Sequence, residues 1–160
     1  MKTLRPLSWL APLLLVACGF HLQGHTPLPR SLASARIEAR DPQSDFYSAL
    51  RASLLSSGAR LDGPAADAAT IHILNDDVSE QVLTVSATRN IPTAFLLSYH
   101  VRFSVDYQGR ELLAPELHTV TREYSFDERA LLAKEREREV LQQALADDLV
   151  ELIMRRLATL

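Results

Sequence analysis

Apolar and polar residues alternate strictly in the middle of the chain, between positions 97 and 105. Successive side chains of a β-strand point to opposite faces of the sheet, so a period of two predicts a strand with one buried face. The apolar positions are Leu97, Tyr99, Val101, Phe103 and Val105. The polar positions between them include His100 and Arg102, which we expect on the opposite face.

Further strand segments surround this one. A short run at 35–39, two runs at 71–74 and 78–88, and a longer run at 112–126 are rich in branched and aromatic residues. Gln108-Gly109 predicts a turn, and Pro115 predicts a bulge or an edge strand, because proline cannot donate to a sheet. Short connections between consecutive strands indicate an antiparallel meander.

Two segments instead have the period of a helix. Phe46, Leu50 and Leu54 recur every four residues; either Asp41 or Ser44 is a candidate N-cap, and Gly58 ends the pattern. The second helix is predicted to begin at a cap on Asp127 and to reach the C-terminus. Its apolar face consists of Leu131, Val140, Leu141, Ala144, Leu145, Leu149, Leu152, Ile153 and Leu157. The charged run at 134–139 alternates in sign and is typical of a solvated face.

The order of these elements predicts an α+β fold of the form β-α-β-β-β-α. Two helices would pack on one face of a four-stranded sheet, mixed or antiparallel. A single domain over residues 31–160 accommodates all of them, and its length is sufficient for a hydrophobic core. Residues 18–30, with two glycines and two prolines, are predicted to be a tether.

The first seventeen residues have a different character. Lys2 and Arg5 precede a mostly apolar stretch from Leu7 to Ala17, which is too short for a membrane-spanning helix of about 20 residues. A basic start, a short apolar core and small residues at the end predict a cleaved signal peptide over residues 1–17. Cleavage would leave 143 residues and change the formal charge from −3 to −5.

Cys18 is the one cysteine of the chain and directly follows Leu15-Val-Ala17. This pattern matches the lipobox of bacterial lipoproteins, in which the thiol receives a diacylglyceryl group and cleavage follows. Each buried methylene contributes about 0.8 kcal/mol to membrane binding, and several acyl chains make the anchor stable. Gly19, rather than an aspartate, favours delivery to the outer membrane, with the domain facing the periplasm.

No residue pattern points to catalysis or to a resident cofactor. The five histidines do not have zinc-ligand spacing, glycine is scarce, and neither a phosphate-binding loop nor a serine-nucleophile elbow occurs. The acidic balance argues against nucleic-acid binding. We therefore expect no enzyme activity, no metal, and no cofactor other than the covalent lipid on Cys18.

Four segments, in order along the chain, resemble the LptE family of lipopolysaccharide-assembly lipoproteins. They are Cys18-Gly-Phe-His-Leu-Gln23, Ala87-Thr-Arg-Asn90, Arg122-Glu-Tyr-Ser-Phe-Asp127 and Leu132-Ala-Lys-Glu135. Each segment is short, but together they span nearly all of the predicted mature chain. The sequence ends at Leu160, without the polar tail that some members carry.

The resemblance implies a plug seated in the outer-membrane β-barrel LptD, where the pair inserts lipopolysaccharide into the outer leaflet. It also implies that Arg89 and Lys134 contact lipopolysaccharide, whose lipid A phosphates are anionic. From the residues alone, the favoured interpretation is that Arg89 is a solvated turn residue and Lys134 a helix-surface residue. An unrelated envelope scaffold lipoprotein, or a periplasmic lipid carrier with an open apolar pocket, are the alternative functions.

Overall fold

The computed structural model describes residues 28–61, 63, 68–125 and 131–160, with the backbone alone for residues 131–134. The elements are a 3-10 turn (Arg30–Leu32), β1 (Ala35–Ala39), α1 (Asp45–Ser56), β2 (Ala69–Val85), β3 (Pro92–Tyr107), β4 (Arg110–Ser125) and α2 (Leu131–Leu157). This order confirms the predicted β-α-β-β-β-α arrangement. The signal segment, Cys18, the tether up to residue 27 and the predicted cap at Asp127 lie outside the described residues.

The four strands form one mixed sheet in the order β1-β2-β3-β4. β1 runs parallel to β2, from Ala35 opposite Ala69 to Ala39 opposite Ile73, and the two later pairs are antiparallel. β1 has 5 residues and β2 has 17. Most of the outer edge of β2 therefore has no partner strand among the described residues.

β2 is one continuous strand that includes most of both predicted runs, 71–74 and 78–88, and it is the second strand of the predicted order. Ile73 pairs with Phe103 and Asn75 pairs with Arg102, which leaves Leu74 as an extra residue in a β-bulge. The extra residue shifts the alternation by one position, so odd-numbered residues face the core before the bulge and even-numbered residues face it afterwards. The apolar alternation is therefore interrupted in the sequence. The strand also ends at Val85, three residues before the predicted end, because the chain turns there.

β4 has a bulge at the proline that the sequence analysis singled out. Phe103 pairs with Glu116 and Val105 with Leu113, so two residues of β4, one of them Pro115, lie opposite a single residue of β3. β4 is also an edge strand. Both alternatives offered for Pro115, a bulge and an edge, are therefore confirmed. The predicted turn between β3 and β4 is confirmed by left-handed backbone at Gln108 and Gly109, as in a tight hairpin.

The alternating residues of β3 lie at the centre of the core, as predicted. All five apolar positions from Leu97 to Val105 are at most 2% exposed. They pack beneath α1 and α2, while His100 and Arg102 lie on the opposite face, partly exposed and exposed respectively. The two helices therefore cover one face of the sheet, and the other face is polar.

α1 is capped by Ser44 rather than by Asp41. The Ser44 hydroxyl oxygen accepts a hydrogen bond from the backbone N–H of Tyr47 at 3.0 Å, which satisfies one of the unpaired donors of the first turn. Phe46, Leu50 and Leu54 are fully buried, as predicted.

The same hydroxyl attaches α1 to the sheet. Ser44 Oγ donates to a carboxylate oxygen of Asp76 on β2 at 2.5 Å, and Asp76 also accepts from the buried Tyr99 hydroxyl. Burial, together with this carboxylate, raises the pKa of Tyr99 above its ordinary value. The Phe46 and Tyr99 rings lie 6.5 Å apart, centroid to centroid. α1 therefore begins over the middle of the sheet, not at its end.

α2 buries a somewhat different stripe from the predicted one. Its buried residues are Leu145, Ala146, Leu149, Val150, Ile153, Met154 and Leu157. Val140 is 64% exposed, so its assignment to the apolar face is wrong. The helix faces both the sheet and α1, and this widens the buried stripe on its C-terminal half, where Ala146, Val150 and Met154 were missed.

Two ion pairs fix the direction of α2 along β4. Arg156 donates two hydrogen bonds to Glu116, at 2.9 and 3.1 Å, and these bonds hold the pKa of the Glu116 carboxyl below its usual range. Arg122 donates to Asp148 at 2.8 Å. Arg156, late in α2, contacts Glu116, early in β4, whereas the earlier Asp148 contacts the later Arg122. The helix therefore runs antiparallel to the strand. Its N-terminal half therefore lies at the end of the sheet where β4 finishes.

Candidate functional site

The connection between β2 and β3 is an ordered turn that presents Arg89. The backbone N–H of Ser86 donates to the carbonyl of Ile91 at 2.8 Å, and that of Asn90 donates to the carbonyl of Ser86 at 2.8 Å. Asn90 adopts left-handed backbone with φ 55°, which asparagine tolerates better than most residues. Arg89 is exposed at this tip, as the sequence predicted from the strand end and the following Ile91-Pro92.

Asn90→Val is expected to destabilise the protein by about 1–2 kcal/mol, because a β-branched residue is strained in left-handed backbone. A thermal or denaturant melt measures the loss. Asn90→Gly is the matched control, since glycine adopts this φ without strain, and it should melt within error of the parent protein. Equal stability of the two variants would contradict the turn geometry.

Lys134 is the fourth residue of α2, which begins at Leu131. This confirms the predicted placement in the first two turns of the helix, where the positive end of the helix dipole strengthens attraction for an anion. The lysine side chain lies outside the described part. The following charged residues, 135–139, are all exposed, as predicted for a solvated face.

Tyr124 is the second-last residue of β4, at the end of the sheet where the N-terminal half of α2 lies. Its hydroxyl donates to Glu80 at 2.5 Å, and its ring stacks on Phe95 with centroids 5.4 Å apart. Burial and the Glu80 carboxylate raise the pKa of Tyr124 above its ordinary value, while the charges of Arg138 and Glu137 also act on the hydroxyl. The ion pairs of α2 with β4 place the N-terminal half of the helix at this end of the strand.

The two candidate cations consequently belong to the same end of the sheet. Val85 pairs with Pro92 across the turn that carries Arg89, and Ser125, the last residue of β4, pairs with Ala94 two residues further along β3. The N-terminal half of α2, which carries Lys134, lies at this end as well. The sequence left open whether the two positions lie at opposite ends of the meander.

Exposed aliphatic residues border the same turn. Val82, Leu83 and Val85 are 44%, 44% and 47% exposed. They lie beyond the reach of α1, which begins over the middle of the sheet. Their residue types are typical of buried strands, and their exposure depends on where α1 lies over the sheet. An arginine beside aliphatic side chains can contact an anionic group and an apolar one together.

The opposite face of the sheet carries two histidine networks. His100 lies between Ser79 Oγ, 3.0 Å from Nε2, and Thr119 Oγ1, 2.9 Å from Nδ1. His72 lies between Glu38 and Asp106, with nitrogen–oxygen distances of 3.2 and 3.1 Å. Both partners of His100 are hydroxyls. A hydroxyl cannot stabilise a protonated imidazole as the carboxylate of a catalytic triad does. Both networks connect neighbouring strands across the sheet.

Three further observations concern a cavity, metal ligands and membrane-spanning helices. A cavity of about 70 Å³ lies where β1 leaves β2, lined by Ala39, Arg40, Asp41, Ile73, Asn75 and Asp76, whereas small-molecule sites measure about 300–1,000 Å³. Among the described residues, no group of three histidine, cysteine or acidic side chains is arranged to hold a metal. Within that same part of the chain, no helix is long and apolar enough to cross a membrane.

Comparison with known proteins gives one family. The family model described as LptE, lipopolysaccharide-assembly, matches residues 32–157. The LPS-assembly lipoprotein LptE of Yersinia enterocolitica is 33% identical over 159 residues, which cover 98% of this chain and 75% of the relative. The protein of the same name from Yersinia pestis is 29% identical over 161 residues, covering 99% and 76%.

Solved structures agree with the fold. The rare lipoprotein B of Shewanella oneidensis superposes with a TM-score of 0.71 at 23% identity, covering 79% of this chain and 94% of that one. A minor lipoprotein of Acinetobacter baumannii gives 0.69 at 24% identity, covering 83% and 94%. At these identities the likeness shows the α+β architecture alone.

Proposed function

The chain belongs to the LptE family of lipopolysaccharide-assembly proteins, and we propose that it is a lipid-anchored outer-membrane protein that seats in the β-barrel LptD and assists insertion of lipopolysaccharide into the outer leaflet. The observation that carries this proposal is the family match over residues 32–157, nearly the whole domain. The lipobox at Cys18 supports the anchor, and Gly19 supports the outer membrane as its location.

The packing of the domain supports a plug better than a lipid carrier. A carrier needs an open apolar pocket between helices and sheet. Here that interface is filled by side chains of both helices and of β3, including Phe46, Tyr99, Phe103 and Ile153, each at most 2% exposed. A solid domain with a polar outer sheet face fits the wet interior of a barrel. The role proposed is one of assembly and positioning, without catalysis.

Affinity purification from outer membranes tests the barrel partnership. The full chain, tagged at its C-terminus and expressed in its native bacterium, should co-purify with LptD after gentle detergent extraction. An unrelated outer-membrane lipoprotein with the same tag is the control. Recovery of the tagged chain without the barrel, or equal recovery of the barrel with the control, would contradict the plug and favour a separate scaffold role.

Arg89 and Lys134 are proposed to contact the phosphates of lipopolysaccharide. Arg89 is exposed at the end of the β2–β3 turn, and Lys134 lies in the first turns of α2 at the same end of the sheet. A cation and a phosphate form a charge-assisted hydrogen bond, worth about 1.5–3 kcal/mol each. The exposed side chains of Val82, Leu83 and Val85 would pack against the acyl chains of lipopolysaccharide.

Charge reversal tests this contact. Arg89→Asp/Lys134→Asp is expected to weaken lipopolysaccharide binding by the full chain at least about tenfold at low salt, with an unchanged melting temperature. Arg60→Asp/Arg110→Asp is the matched control, because both arginines are exposed at the other end of the sheet and the net charge changes equally. If both double variants lose lipopolysaccharide binding to a similar extent, the loss is due to net charge, and the proposed contact is contradicted.

A further inference from the structure

Among the described residues, no strand pairs with the outer edge of β2 along eight regular positions. β1 occupies this edge from Ala69 to Ile73, and the bulge at Leu74 follows. From Asn75 to Val82, the free edge, β2 then pairs with β3 residue by residue until the next irregularity. Its other side has no partner strand among the described residues. Such an edge offers a row of unpaired backbone N–H and C=O groups to another strand.

β4, at the opposite edge, carries the features that block strand addition. Pro115 and its bulge interrupt the strand, and two arginines and three glutamates lie along it. The free edge of β2 has neither proline nor glycine, and it has no lysine or arginine. It has three carboxylates instead, on Asp76, Asp77 and Glu80. One edge of the sheet is therefore protected in the usual manner, and the other is regular and negatively charged.

We propose that the free edge accepts an extended segment of another protein by strand addition, and that this segment carries lysine or arginine. Main-chain hydrogen bonds would supply affinity and the carboxylates would select the charge. This inference goes beyond the proposed function, since neither the barrel nor lipopolysaccharide enters it.

A second copy of the chain is a poor occupant of the same edge. Antiparallel pairing of 75–82 with itself about Val78, which keeps the two faces of the sheet aligned, places Asp76 opposite Glu80 twice. Parallel pairing in register places each carboxylate opposite its own copy. Like charges directly opposite each other destabilise a sheet. A basic strand has the opposite effect, because a cation then faces Asp77 on the polar side of the sheet.

The faces of the free edge define the partner further. Val78 packs against the core on the helix side, and Val82, opposite the buried Phe95 on that side, is 44% exposed. Asp77 lies opposite His100 on the polar face and is exposed. An incoming strand that alternates aliphatic and basic residues would cover Val82 and place its cations beside Asp77. The cavity lined by Arg40, Asn75 and Asp76, where β1 separates from β2, provides space for one end of the incoming strand.

A synthetic peptide of alternating lysine and valine, matched in length to the free edge, is the probe. Hydrogen exchange of the full-length chain in detergent, followed amide by amide, is the measurement. The peptide should slow exchange at alternate amides between Asn75 and Val82, whose N–H groups point away from β3. A peptide with glutamate in place of lysine should leave exchange unchanged.

Two variants distinguish strand addition from general attraction to an acidic protein. Asp77→Lys should weaken the protection at least about tenfold, whereas Glu123→Lys, an equal charge change on exposed β4, should leave it within twofold or so of the parent. The proposal is overturned if about 1 mM peptide slows no amide of the free edge. It is also overturned if β4 is protected equally, or if both variants behave alike.

Discussion

Phe103→Ala is expected to lower the free energy of unfolding by about 3–5 kcal/mol, as for other large-to-alanine changes in a packed core. Phe103 is 1% exposed at the centre of β3, and its ring lies 5.5 Å from the His118 ring, centroid to centroid. Removing it leaves a cavity between the sheet and the helices that the surrounding side chains can fill only in part. Urea unfolding, with the midpoint and slope both fitted, measures the loss.

Arg102→Ala is the matched control for this change. Arg102 is the neighbouring residue, but it is exposed on the opposite face of the same strand. Surface changes of this kind usually alter stability by less than about 0.5 kcal/mol. A large loss in the control together with no loss in Phe103→Ala would reverse the assignment of the two faces, since a one-residue shift exchanges every side chain between them.

Cys18→Ser is expected to abolish acylation altogether, because the serine variant has no thiol to receive the diacylglyceryl group. The chain contains no other cysteine, so no second thiol can substitute. Labelling with a radioactive fatty acid, followed by immunoprecipitation, measures the modification.

The folded domain should be unaffected by the same change. Cys18 precedes Arg30–Leu32, the first element that the structure describes, so the domain of Cys18→Ser is expected to melt at the temperature of the parent domain. Ser31→Ala, also near the start of the domain, is a control that retains the thiol and should incorporate label normally. Label persisting on Cys18→Ser would remove the lipoprotein assignment.

Much of the fold was predictable because its signals are local. The alternation at 97–105 and the four-residue spacing of Phe46, Leu50 and Leu54 each report burial on one face, and the structure confirms both. Ser44 and Gly58 limit α1 through their own backbone chemistry. The predictions that failed were those in which burial depends on a distant element. Val140 has an apolar side chain, but no element within the described part of the chain buries it.

The candidate site was predictable in part. The exposure of Arg89 follows from the end of a strand before Ile91-Pro92, and the helical placement of Lys134 follows from the apolar period after it. Their association with lipopolysaccharide comes from the family resemblance, and it remains a prediction. The exposure of Val82 and Leu83 was not predictable from their own residue types, which are typical of buried strands.

The sequence by itself determined the kinds of elements, their order, the buried face of β3 and the lipid attachment expected at Cys18, because each depends on residues that are neighbours in the chain. Only the tertiary structure decided that Arg89 and the start of α2 lie at one end of the sheet, since strand pairing and the ion pairs of α2 with β4 set that direction. It also decided which edge of the sheet is free. β1 pairs with β2 only as far as Ile73, and the bulge at Leu74 follows directly, so the edge beyond has no partner strand among the described residues. Pairing between strands far apart in sequence cannot be predicted from either strand alone.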